Sequence, residues 1–311
     1  DGLAGAGHDV TLFATADSVT TATLHATSPA GWSDDPSVDP KVAECLHIAS
    51  VFERAAEFDI IHNSFDFLPL TYSDLVATPV ITTIHGFSSP RIVPVYQRYD
   101  DRSAYVAISD ADRHPSLHYA ATIHHGIDTA AFAVDRAHGD HLLFFGRIHP
   151  DKGAGEAIRA ARAAGRRLTI CGLVQDAEYH AREVEPFLDG AQVIDRGVVG
   201  GEERLRALGK ARGLLHLIGF AEPFGLSVVE AMACGTPVIA YPKGSMPELI
   251  EHGVTGFLVD SFDEAVEAIG RLGEIDRRAC RRAVEQRFTV DRMADDYLAL
   301  YRRVLASARE P

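Results

Sequence analysis

The sequence predicts an α/β protein made of two doubly wound, Rossmann-like units, and three observations predict it. Short apolar strands recur along the chain, nearly all apolar on both faces, as a parallel sheet covered by helices requires. Helical stretches alternate with them in two separate runs, which implies two α/β units. Between the runs lies a polar connector with little periodicity, Asp128-Thr129-Ala130-Ala131-Phe132 followed by Asp135-Arg136-Ala137-His138-Gly139-Asp140. A length of 311 residues holds two domains of ordinary size.

The elements follow in order. Gly2, Gly5 and Gly7 spell G-x-x-G-x-G, not the dinucleotide fingerprint G-x-G-x-x-G, and no strand precedes them. They read as a helix ending at Gly7, with a strand beginning near His8. The first run then continues through Val10–Phe13, Ile60–His62, Val80–Ile84 and Ala104–Ile108, with residues 17–40, rich in Ser, Thr, Pro and Asp, as a loop excursion. The second run is Leu142–Phe145, Arg167–Cys171, Val193–Ile194, Gly213–Leu217 and Val238–Tyr241. Helices are expected over Gly155–Gly165, Glu202–Ala211 and Leu226–Ala233. The boundary falls between Ile127 and His141 and is drawn at 135/136, giving domains 1–135 and 136–288. A terminal helix, 289–311, is capped by Thr289 and carries an apolar stripe of Val290, Met293, Tyr297, Leu300, Tyr301 and Val304 that needs a partner.

Composition, 46% hydrophobic and 24% charged, is that of a globular protein. No apolar run is long enough to cross a bilayer and no signal-like segment is visible, so a cytoplasmic location is expected. Cys45, Cys171, Cys234 and Cys280 are far apart and read as small core residues in a reducing compartment. The net charge of −14 is lopsided: residues 1–130 hold 6 Lys+Arg against 17 Asp+Glu. An acidic front half is a poor partner for nucleic acid or anionic lipid, and plain solubility explains it equally well.

Two segments carry chemistry. Glu222-Pro223-Phe224-Gly225-Leu226-Ser227-Val228-Val229-Glu230 places seven residues between two carboxylates, and Ala231-Met232-Ala233-Cys234-Gly235-Thr236-Pro237-Val238 follows. Pro223 and Gly225 favour a turn, Leu226–Ala233 a short helix, and Gly235 its stop. The N–H groups at that helix start suit a phosphate. Phe144-Phe145-Gly146-Arg147-Ile148-His149-Pro150-Asp151-Lys152-Gly153 ends a strand in a glycine turn and supplies two cations within a few residues. An Arg fork and a Lys point charge together suit a diphosphate. His85, after the strand ending at Ile84, reads as structural or as catalytic. Ser109 reads as an acceptor contact or, preferably, as the cap of a helix beginning there. His114 with His118, and His124 with His125, lack a carboxylate or Cys at ligand spacing to complete a zinc set, so no metal is expected.

Together these strings resemble the E-x7-E signature and the Gly-Arg-x-x-x-x-Lys-Gly step of retaining GT-B-fold glycosyltransferases, specifically glycosyltransferase family 4. The resemblance covers most of the chain and is strongest over 141–260. It implies a fold with two Rossmann-like domains facing a cleft, and a first strand and glycine-rich loop lying before Asp1, so that the N-terminal domain is truncated. It implies a metal-independent transfer from a nucleotide-diphosphate sugar to a small-molecule or glycan hydroxyl acceptor. Arg147, Lys152 and Gly146 would hold the diphosphate with Phe224, Gly225 and Leu226. Glu222 would hold sugar hydroxyls, Glu230 the ribose diol, Val199 the base through its backbone, and His85 would sit by the anomeric carbon. Two other readings are a non-catalytic nucleotide-sugar-binding module, motivated by the missing glycine loop, and an NAD-dependent dehydrogenase, which the absent fingerprint disfavours.

Overall fold

The computed structural model describes residues 1–32, 35–134 and 139–308, so the expected 135/136 boundary lies outside the described residues. The chain divides into two compact units. Unit 1 comprises Asp1–Ile108, Arg113–Ile123 and Met293–Pro311; unit 2 comprises Ser109–Asp112 and His124–Arg292.

Unit 1 holds β1 (Thr11–Phe13), β2 (Thr23–His25), β3 (Ile61–Asn63), β4 (Val80–Ile84), β5 (Ser103–Ala107) and β6 (Tyr119–Thr122). β1 and β2 pair in parallel as a two-stranded sheet, and β3–β6 form a second parallel sheet in sequence order. β4 is buried along its whole length, which is why Val80–Ile84 reads as an unbroken apolar and threonine run. Ile81, Val106 and Ile123 on one face pack against Tyr297 and Leu300 of the terminal helix Val290–Ser307. Leu70, Ile84, Tyr96, Tyr105 and Leu117 form another cluster. The strand β2 falls inside the expected loop excursion, where its half-exposed three residues carry no apolar run.

A polar network centred on His62 lies between the sheet and the terminal helix of this unit. His62 Nδ1 lies 2.6 Å from the Tyr301 hydroxyl and Nε2 lies 2.7 Å from Thr83 Oγ1, which also meets the Tyr297 hydroxyl at 2.8 Å. The neutral ring donates at one nitrogen and accepts at the other, so both hydroxyls are served. Burial, with a smaller contribution from His85, pulls the His62 pKa down to about 4.

Unit 2 is a six-stranded parallel sheet of β7 (Leu142–Phe145), β8 (Leu168–Cys171), β9 (Val193–Asp195), β10 (Gly213–His216), β11 (Val238–Ala240) and β12 (Gly256–Leu258), ordered β12-β11-β10-β7-β8-β9. The strand order runs outward in both directions from β7 and β10, so the topological switch point lies between them. The helix Leu226–Ala233 links β10 to β11 and is buried from Val228 to Ala233. The helices Ala154–Ala163 and Gly201–Lys210 stand within two residues of the expected spans. Thr289 caps the terminal helix, its Oγ1 accepting from the Arg292 N–H at 3.2 Å. Among the described residues no helix is long and apolar enough to cross a membrane.

The His62 network predicts an acid-sensitive unit 1. The unfolded imidazole takes up its proton below about pH 6.5, whereas the folded one stays neutral until about pH 4. Stability is therefore lost as pH falls through that window, by about 3 kcal/mol in total. Hydrogen exchange of the β4 amides, followed from pH 7 to pH 4 in wild type and His62→Leu, checks this; equal pH slopes in the two proteins contradict it.

Candidate functional site

At the switch point the chains leaving β7 and β10 diverge and open a crevice beyond their carboxyl ends. After β7 the chain turns through Gly146 and Arg147, and a single 3-10 turn, Pro150–Lys152, presents Lys152. After β10, which ends at His216, a loop leads to Glu222 and then to the helix Leu226–Ala233. The resulting cavity measures about 290 Å³, and its lining includes Gly146, Arg147, Lys152, Arg204, His216 and Glu230.

Charge in this cavity is paired. Lys152 Nζ lies 2.5 Å from Glu222 Oε2, with the two side chains only 16% and 13% exposed. The same ammonium stands 4.8 Å from the centre of the Phe220 ring, a cation–π position. His216 Nε2 is 3.8 Å from that carboxylate oxygen. Burial, and then the neighbouring Lys152 charge, pull the His216 pKa down to about 3, so the ring is neutral near pH 7. Glu230 is buried in its helix and accepts from Arg204. Arg147 donates to Gln175 Oε1 at the cavity edge.

The Glu222 loop is built by close backbone packing. Gly244, at φ +57°, passes so near that a Cβ there would stand 2.3 Å from the Glu222 carbonyl oxygen. Ser245 donates its N–H to that carbonyl at 3.0 Å and its hydroxyl to the Phe224 carbonyl. Lys243 Nζ donates to the Gly219 carbonyl at 3.0 Å, pinning the run from β10. Gly225, at φ +97°, makes the left-handed entry into the helix; it has no side chain to cap it. Leu226 and Ser227, whose N–H groups belong to the uncapped first turn, line the cavity.

Of the residues predicted from sequence, Gly146, Arg147, Lys152, Leu226 and Glu230 line this one cavity, and Glu222 joins it through Lys152. Phe224 is buried between His125 and Phe288, so it anchors the loop from behind. Val199 is mostly buried before the helix Gly201–Lys210 and is not part of the cavity wall. His85 belongs to unit 1, after β4, and burial lowers its pKa.

Ser109 requires a correction. No helix starts there, although its hydroxyl makes the bond to the third following N–H that a cap makes. It is fully buried, donates to the Pro223 carbonyl at 2.6 Å and accepts the Asp112 N–H at 3.1 Å. The following N–H groups of Asp110 and Ala111 bond the Glu248 carboxylate at 3.0 and 2.8 Å instead of entering a helix.

Sequence reading missed Arg204 and His216. Both left a faint mark. Arg204 sits in the first turn of its helix, where a cation opposes the helix dipole unless an anion answers it. His216 interrupts an apolar buried strand. Among the described residues no group of three or more His, Cys, Asp and Glu is placed to hold a metal ion.

The loop architecture makes Gly244→Ala disruptive. A methyl there collides with the Glu222 backbone at a positive φ, so a loss of more than about 1 kcal/mol is expected. Chemical denaturation measures it; unchanged stability contradicts the packing described.

Residues 135–287 match the family described as "Glycosyl transferases group 1". A D-inositol 3-phosphate glycosyltransferase of Acidothermus cellulolyticus is 33% identical over 189 residues, covering 54% of this chain and 42% of its own. One from Mycobacteroides abscessus is 30% identical over 243 residues, covering 68% and 54%. The chain thus spans about half the length of these curated relatives. Among solved structures, AviGT4, a glycosyltransferase involved in avilamycin A biosynthesis, superposes with a TM-score of 0.70 at 26% identity, over 98% of this chain and 87% of that one. Sucrose-phosphate synthase from Thermosynechococcus elongatus gives 0.78 at 20%, over 98% and 91%. Anabaena Alr3699/HepE in complex with UDP-glucose gives 0.66 at 20%, over 91% and 85%. The fold is of GT-B type, α/β with two Rossmann-like units on parallel sheets.

Proposed function

We propose that this chain, which belongs to the glycosyl transferases group 1 family through residues 135–287, transfers a sugar with retention from a nucleotide-diphosphate sugar to a hydroxyl acceptor. The observation that carries the reading is the convergence of Arg147, Lys152 and an uncapped helix start on one cavity that also holds two acidic side chains at its margin. Cations and N–H dipoles on one side and carboxylates on the other match a ligand that is anionic at one end and polyhydroxyl at the other.

In this reading the bond between the anomeric carbon and the diphosphate oxygen breaks while the acceptor oxygen bonds the same face. The acceptor proton passes to the departing phosphate oxygen. Arg147 and Lys152 stabilise the charge that grows on the leaving group. Glu222 accepts from sugar hydroxyls. Glu230 accepts from the ribose diol and shares its second side with Arg204. The parts proposed for Val199, at the base, and for His85, in support of the oxocarbenium-like state, rest on the family resemblance alone. The solved complex of Alr3699/HepE with UDP-glucose makes that donor the first probe.

Arg147→Ala removes a charge-assisted bond to phosphate worth about 1.5–3 kcal/mol, so UDP affinity is expected to fall about 10–150-fold. Calorimetry with UDP, and with GDP and ADP as comparisons, reads this directly; an unchanged affinity contradicts the diphosphate role. Binding of sugar nucleotides with no turnover against any hydroxyl acceptor supports the non-catalytic alternative.

Retention is tested separately. With UDP-α-glucose as donor, proton NMR of the product is expected to show the α-anomeric doublet. A β product contradicts the same-face displacement.

A further inference from the structure

His216 is the last residue of β10, is 6% exposed and faces the cavity described above. Its Nε2 is buried and has no hydrogen-bond partner. An unsatisfied buried donor or acceptor costs about 1–3 kcal/mol, so an apolar residue would be the more stable occupant of this strand position. Nε2 nonetheless has a defined polar neighbour: it stands 3.8 Å from Glu222 Oε2, the oxygen that Lys152 holds at 2.5 Å. Two groups, Lys152 and His216, therefore converge on one carboxylate oxygen, the second just outside bonding distance.

Resting on the donor reading above, we propose that His216 is a positioning residue for Glu222, its Nε2–H replacing Lys152 on the carboxylate when the donor diphosphate draws the ammonium away. Lys152 is asked to serve two anions, the Glu222 carboxylate in the empty site and a phosphate in the filled one. Removing the ammonium from a carboxylate that is 13% exposed leaves a nearly buried charge without compensation. A neutral imidazole with its proton on Nε2 supplies a replacement by a movement of about 1 Å. The carboxylate itself favours that tautomer. Burial and the Lys152 charge keep the ring from taking a second proton near pH 7. The exchange leaves Glu222 ionised and fixed in direction while it accepts from sugar hydroxyls.

The test uses His216→Leu, which keeps an apolar strand position filled, and His216→Gln, which keeps an N–H near the place of Nε2. Calorimetry with UDP and with UDP-glucose, and kcat and KM for transfer, are measured for both. The expected result for His216→Leu is a UDP affinity lowered at least about tenfold, because the UDP diphosphate draws Lys152 away and leaves Glu222 uncompensated, with kcat lowered at least about tenfold. His216→Gln recovers most of kcat. Wild-type kcat in His216→Leu, or equal impairment in the two variants, overturns the inference while leaving Arg147-dependent UDP binding standing. Absence of binding by UDP, GDP and ADP to the wild type overturns the donor reading and this inference together. Nitrogen-15 spectra of wild-type protein labelled at histidine give a readout independent of any variant. The Nε2–H tautomer is expected at His216, with its proton signal moving downfield on addition of UDP-glucose; an Nδ1–H tautomer overturns the proposal.

Discussion

The Lys152–Glu222 pair holds two opposite charges in a crevice where neither has much access to water. Such a pair gains little net stability, since the cost of removing both ions from water offsets most of their attraction. Its importance lies in what it fixes. It ties the turn after β7 to the loop after β10, the two segments that the switch point forces apart. Every other feature of the site is arranged around it: Phe220 under the ammonium, His216 beside the carboxylate, Arg147 and the helix start facing the same space.

The loop that carries this carboxylate is held through its backbone carbonyls. Ser245 bonds two carbonyls of the Glu222–Phe224 segment, and Gly244 allows the approach. Ser109 adds a third bond at Pro223. Glu248, which accepts from Asp110, Ala111 and His124, holds the Ser109 turn against the same region. Beside it, burial and then the Glu248 charge raise the Asp112 pKa to about 6. The turn bearing Glu222 is thus fastened through its main-chain carbonyls, while the Glu222 side chain pairs with Lys152.

The parts of the fold legible in sequence were those with two-sided burial. Val80–Ile84 and Leu142–Phe145 coincide with the observed strands because all their residues but Phe145 are buried, and a run of apolar residues and threonines records that. The strands that escaped notice, Thr23–His25, Tyr119–Thr122 and Gly256–Leu258, lie at sheet edges or in short half-exposed pieces, where hydrogen bonding decides the conformation and composition records little. In the site, Arg147, Lys152, Glu222 and Glu230 were legible because two cations and two carboxylates sit at characteristic intervals along the chain. Arg204 and His216 were not, because their partners, Glu230 and Glu222, become neighbours only through the folding of the sheet. Ser109 misled for a related reason: a serine after a strand looks the same whether it caps a helix or bonds a carbonyl 114 residues away.

A crystal of the chain soaked with UDP would locate the diphosphate relative to the Lys152–Glu222 pair. The account predicts diphosphate density in the 290 Å³ cavity, with Arg147 and Lys152 within hydrogen-bond distance of its oxygens and the ribose against Glu230. Diphosphate bound elsewhere, with the Lys152–Glu222 pair and Arg147 left as they stand, contradicts it.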